Sequence, residues 1–300
     1  MKQPLFAKRL SNSKSASFIS TILKGIGQIM LQENSFTGLL FLIGIFYGSL
    51  PMGFGALLAT ICGTATAYLF KYNKTDIEKG LYGFSAALVG VAVMLFLKPV
   101  FLSWVLVVVG AVVAAMLQHF FIKRNFPAFT FPFVLVTWVI LFLCTKFCGD
   151  LLAVSAPIIA ETSDSLTDGF KSFGQVIFQS SLLAGVLFFI AVFISSPIAA
   201  LYGLAAAIIS AVLAFYSSVP MTDINLGLYG FNAVLCAIVF AGPKVKDGLW
   251  VLISIILALA ISLLMLKTGI PKLTFPFVLA TWITLVVKNK FDFMINRAIK

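Results

Sequence analysis

The chain has 300 residues, of which 61% are hydrophobic and only 10% charged. Its mean hydropathy is +1.10, whereas a water-soluble domain is roughly half apolar and a quarter charged, so a soluble fold is excluded. The formal net charge is +11, but there is no soluble module with a basic face interleaved with aromatics, which excludes a nucleic-acid partner; the expected surroundings are a lipid bilayer, with room for about ten crossings of about 20 residues.

Taken in chain order, residues 1–17 form a polar, basic tail carrying Lys2, Lys8, Arg9 and Lys14, without a signal peptide's apolar core or cleavage site. Cationic flanks stay in the cytoplasm, so the tail is expected there, as is the other basic end at 291–300 with Arg297 and Lys300. Apolar runs follow at 36–50, 53–70, 81–97, 100–122 and 128–145, within a first half at 18–148. A loop at 149–168 holds Asp150, Glu161, Asp164 and Asp168 and no Lys or Arg, which suits an external connection. The second half, 169–290, has runs at 181–195, 197–216, 226–242, 248–266 and 273–288. Cys62, Cys144, Cys148 and Cys236 fall in or at the ends of apolar runs with no CxxC pair, the pattern of buried, inert thiols.

The halves repeat each other. Thr75-Asp76-Ile77 through Gly80-Leu81-Tyr82-Gly83-Phe84 recurs 147 residues later as Thr222-Asp223-Ile224 through Gly227-Leu228-Tyr229-Gly230-Phe231, and Lys24, Gly27, Gln28 and Gln32 recur at the same offset as Lys171, Gly174, Gln175 and Gln179. Thr130-Phe131-Pro132-Phe133-Val134-Leu135 recurs at 274–279, an offset of 144. Three blocks in one order are a duplication. Five crossings per half is an odd count, so the second half enters from the opposite side. The expected fold is therefore an all-α integral membrane protein of two inverted-topology repeats of five transmembrane helices each.

Two segments per half are too short or too interrupted for plain spans, and such interruptions point to a transport site. They are 24–33 with 171–180, and the stretches opening at Gly80 and Gly227. Both read as re-entrant or half pore helices ending toward the bilayer midplane. Asp76 and Asp223, each after a threonine, read as helix N-caps rather than ion sites. No carboxylate falls clearly inside an apolar run, which argues against a coupled pump. The repeated polar residues are neutral: Gln28 with Gln175, Thr130 with Thr274, Thr137 with Thr281. Such groups either hydrogen-bond a neutral solute or tie helices together. Phe84 and Phe231 recur at symmetric places and would wall a slot for a planar solute. The Thr-Phe-Pro-Phe segments either expose carbonyls along a cavity or start helices.

These doubled Gly-Gln, Gly-x-x-Gly-Phe-[Asn/Ser] and Thr-x-Pro-Phe segments resemble the urea transporter family over about residues 20–290. The resemblance implies a homotrimer in the cell membrane, each protomer passing urea down its gradient through its own narrow filter. By position, Gln28 and Gln175 match the family's amide or acidic residue, and Phe84, Phe231 and Phe178 its slot phenylalanines. Leu88, Leu235, Ile29 and Val176 match the middle constriction, and Thr130 and Thr274 its threonines. Leu31 stands where the family pattern has phenylalanine, so one slot has a single aromatic wall. The alternative function is a channel or coupled transporter for another small polar solute, such as ammonia or short amides. His119 is the one histidine, so neither paired-histidine ammonium conduction nor enzyme chemistry is expected, and no cofactor or metal is expected.

Overall fold

The computed structural model describes residues 14–153 and 164–298. Most of the N-terminal tail, the 154–163 stretch with Glu161, and Lys300 lie outside the described residues. Among the described residues the chain is helical, with one isolated antiparallel bridge between Leu97 and Leu152. It divides into two compact units: residues up to 128 with 135–154, and 129–134 with 155–300.

In the first unit α1 (Lys14–Gly27) runs into a 3-10 turn (Gln28–Met30), followed by α2 (Ser35–Gly48), α3 (Leu50–Leu69), the short α4 (Lys74–Glu78), α5 (Phe84–Phe96) and α6 (Phe101–Lys123). Helix α7 (Phe131–Phe147) begins among residues counted with the second unit and ends among those of the first. The second unit continues with α8 (Ser165–Gln175), α9 (Leu182–Ser195), α10 (Pro197–Phe215), the short α11 (Met221–Asn225), α12 (Phe231–Phe240), α13 (Val245–Met265) and α14 (Phe275–Ala298).

The boundaries have local causes. Asn34 Oδ1 accepts from Phe36 N at 2.8 Å and Thr37 N at 3.2 Å, satisfying two of the orphan donors that open α2. Ser181 Oγ does the same for Ala184 N, at 3.2 Å, to open α9. Proline stands in the first turn of α3 and of α10, where no N–H is needed. Small residues let neighbouring helices approach closely: the buried stripe of α3 is Gly53, Gly55, Ala56, Ala59, Thr60, Gly63, Thr64 and Ala67, and that of α10 runs through Ala199, Ala200, Gly203, Ala206, Ala207 and Ser210. Helices α5 and α12 are buried on nearly every side, which is the environment their all-round apolar sequences demand.

Each apolar run of the sequence contains a helix, but the helices differ in reach. Among the described residues, α3, α6, α10 and α13 with its following turn are long and apolar enough to cross a membrane singly. Helices α1 and α2 pass that test only as a pair, bent by 75°. Helix α5 has 13 residues and α12 has 10; at about 1.5 Å per residue they rise only about 20 Å and about 15 Å, short of a hydrocarbon core of about 30 Å.

Three expectations are corrected. Asp76 does not cap α4: Asn73 does, its Oδ1 accepting from Thr75 N at 2.9 Å and Asp76 N at 3.3 Å, while Pro220 precedes α11 with no side-chain cap. Both aspartates sit inside the first turn, where the positive end of the helix favours them. Asp168 is not a loop residue, because α8 already starts at Ser165 and turns that carboxyl inward to 3% exposure. Cys148 is exposed rather than buried, since α7 has ended at Phe147.

Candidate functional site

In the first unit the site residues gather where α1 stops. Leu31 adopts a left-handed backbone, φ 58°, and lets the chain close the helix end: Leu31 N donates to the Gln28 carbonyl at 3.0 Å and Gln32 N to the Gly27 carbonyl at 3.1 Å. The buried Gln32 side chain adds a bond from Nε2 to the Met30 carbonyl at 2.8 Å. Gln28, Ile29 and Leu31 thus share one turn at the corner of the bend. Ile29 is buried, and Leu31 is 38% exposed. Gln28 Nε2 donates to the Lys79 carbonyl at 3.1 Å. That bond uses one of the amide's two N–H donors, while its oxygen Oε1 is an acceptor. The same loop passes through Gly80, φ 79°, and delivers Phe84 to the first position of α5, with Leu88 one turn further on.

The second unit builds the same turn 147 residues later. Phe178 has φ 57°, Phe178 N donates to the Gln175 carbonyl at 3.1 Å, and Gln179 N donates to the Gly174 carbonyl at 3.0 Å. Gln179 Nε2 reaches the Ile177 carbonyl at 3.0 Å. Gln175 and Val176 are buried on this turn. Here it is Lys171 that binds the neighbouring loop, Nζ to the Asn225 carbonyl at 3.0 Å, whereas its counterpart Lys24 pairs with Glu33 Oε1 at 3.2 Å. Gly227, φ 76°, leads to Phe231 at the start of α12, and Leu235 follows one turn on.

The second unit also contains both threonines of the repeated Thr-Phe-Pro-Phe segments. Thr130 Oγ1 and Thr274 Oγ1 lie 2.6 Å apart, and both residues are buried. The Thr130 and Thr274 carbonyls each accept from the amide four residues on, Val134 N and Val278 N, at 3.1 Å. The prolines, Pro132 and Pro276, stand in first turns that have orphan donors in any case, so the segments start helices. Phe133 packs edge-on against Phe178, ring centroids 6.2 Å apart.

The family model described as UT: Urea transporter matches residues 19–289, nearly the whole described chain. The chain belongs to the urea transporter family. Among its relatives are Urea transporter 1 of Ovis aries and of Capra hircus, each 27% identical over 95% of this chain and 81% of the relative. Urea transporter 1 of Mus musculus is 28% identical over 91% of this chain and 78% of its own length.

Within this member of the family the two units carry the same turns but not the same side chains around them. Thr281 Oγ1 lies 3.8 Å from Cys236 Sγ, while the hydroxyl of Thr137 is buried without a partner, because the position equivalent to Cys236 is Val89. Tyr82 bonds His119 Nδ1 at 3.2 Å, and His119 stacks on Tyr72, centroids 3.6 Å apart. In the second unit Tyr229 packs instead with Leu263 and Val219, and its hydroxyl is buried without a partner. Asn232, directly after Phe231, reaches both Leu273 and Phe277. These contacts join positions far apart in sequence; the one hint is that the repeat changes identity there, Ser85 against Asn232. Among the described residues no three His, Cys, Asp or Glu side chains come together as metal ligands.

Proposed function

We propose that this urea transporter moves urea passively, as a channel does, through a narrow filter built from the two turns and the helices that follow them. In this reading the halves are inverted repeats of five membrane-spanning segments, both termini are cytoplasmic, and the active form is a homotrimer with one pore per protomer. Gln28 and Gln175 present amides at the two ends of the filter. Phe84, Phe231 and Phe178 form its aromatic walls, with Leu31 in the place of a further wall. Ile29, Val176, Leu88 and Leu235 narrow the middle, where Thr130 and Thr274 supply hydroxyls.

The observation that carries the reading is the chemistry of the repeated turns: each carries a glutamine amide at the helix end, and the charges nearest them are engaged, Lys24 with Glu33 at 3.2 Å and Lys171 on the Asn225 carbonyl at 3.0 Å. A primary amide both donates and accepts. It replaces water around a neutral amide solute without the barrier or well that a fixed charge creates for one sign of ion. A coupled transporter would need an ionisable group at such a turn. Asp168 is buried, but it lies in the first turn of α8, two turns before Gln175, where the helix end itself stabilises a carboxylate. The relatives' name, Urea transporter 1, supports urea as the solute.

Gln28→Ala and Gln175→Ala are each expected to lower urea flux about tenfold at unchanged expression, the effect of one lost hydrogen bond in a desolvated site. Stopped-flow light scattering on proteoliposomes reads it. Wild-type flux in both variants would return the two glutamines to a structural role.

A further inference from the structure

We infer that Asn232 is a positioning residue for solute discrimination: it locks the Thr274 turn to the helix that carries Phe231, and so sets where the threonine hydroxyls stand relative to the aromatic wall. The inference rests on the filter reading above and goes beyond it by assigning a role to a side chain that belongs to none of the filter groups.

Asn232 is 2% exposed in the first turn of α12. Its Nδ2 donates to the Leu273 carbonyl at 3.4 Å, and its Oδ1 accepts from Phe277 N at 3.1 Å. The two bonds bracket Thr274. Leu273 has a left-handed backbone, φ 46°, an arrangement that costs a non-glycine residue about 1–2 kcal/mol and persists only where its surroundings hold it. Phe277 N is among the first amides of α14, which have no partner inside their own helix. One side chain therefore meets both needs on either side of Thr274, whose hydroxyl faces that of Thr130 at 2.6 Å.

Serine cannot replace it. A hydroxyl carries its donor and its acceptor on one oxygen with a shorter reach, whereas the asparagine amide sets them on two separate atoms that reach a carbonyl and an amide four residues apart. The chain shows this contrast itself, since the repeat-equivalent residue is Ser85, whose hydroxyl is buried with no hydrogen-bond partner. The clamp is thus present at the Phe231 wall and lacks its asparagine at the Phe84 wall.

The test compares wild type, Asn232→Ser and Asn232→Ala in proteoliposomes, measuring the flux of urea, thiourea, formamide and water. Ser262→Ala is the control; it removes a buried hydroxyl that bonds only the Ala258 carbonyl of its own helix. Asn232→Ser keeps the residue that the other half already tolerates, which guards against a folding failure. Both Asn232 variants are expected to change the urea-to-thiourea flux ratio about fivefold, the size of one or two lost hydrogen bonds at a positioned group. The Phe277 amide is expected to exchange with deuterium faster in both, while Ser262→Ala leaves ratio and exchange unchanged. Proportional loss of all four fluxes at a constant ratio would overturn the inference and leave the filter reading standing. A wild-type protein without urea flux would overturn the filter reading and this inference with it.

Discussion

Gly80 and Gly227 show how much of this molecule rests on single residues. Each has φ near 80°, and a Cβ at either place would run into the backbone of α1 at Lys24–Gly25 or of α8 at Lys171–Ser172. Gly80→Ala and Gly227→Ala are expected to destabilise the protein by at least about 2 kcal/mol each, from the left-handed backbone and the collision together. A lowered melting temperature in detergent would register this, and a wild-type melt in both variants would contradict it. These glycines were legible in the sequence because they recur within a repeated block. The glutamines, Phe84, Phe231 and Phe178 were legible for the same reason, and Leu31 keeps the backbone of Phe178, φ 58° against 57°, although its side chain differs. Asn232, Cys236 and the Tyr82–His119–Tyr72 group were not legible as a set. Their partners stand 37 to 47 residues away in the chain, and only the folded helices bring them into reach.

Helices were easier to foresee than their ends. Ten apolar runs gave ten helices, since burial in lipid or protein decides such runs whatever their propensity. The ends depend on a few polar side chains that compete for the same orphan donors, which is why Asn73 takes the cap expected of Asp76 and why the prolines begin helices. The cap of α8 carries a testable pH dependence. Asp164 bonds the Thr167 side chain and accepts from Thr167 N at 2.8 Å, and these bonds, strongest to the charged form, hold its carboxyl below the ordinary value of 3.8. The sign follows: a lowered folded pKa contributes stability above the unfolded value, and that contribution is lost as pH falls from about 3.8 through the folded value. The protection factor of Thr167 N, its exchange rate relative to the intrinsic rate at each pH, is therefore expected to fall below about pH 4 in the wild type and to hold steady in Asp164→Asn, which retains a capping oxygen. Equal pH profiles in the two proteins would contradict this role.

At the scale of the whole molecule, composition excluded a soluble fold, and the internal duplication located the paired turns before any helix was known. What composition left open was reach: among the described residues four helices are long and apolar enough to cross a membrane singly, one pair is so only across a 75° bend, and α5 and α12 are too short. Short buried helices preceded by left-handed glycines, next to helix ends that carry neutral amides, form a scaffold suited to a neutral solute. The central claim is that urea crosses by this route, unaided by ions or voltage. The most direct measurement is the volume of proteoliposomes after mixing with a urea gradient, with no ion gradient and no membrane potential. The account predicts shrinkage followed by re-swelling much faster than in protein-free liposomes, unaltered when a sodium or proton gradient is imposed. Re-swelling no faster than in protein-free liposomes, or fast only with an imposed ion gradient, would contradict it.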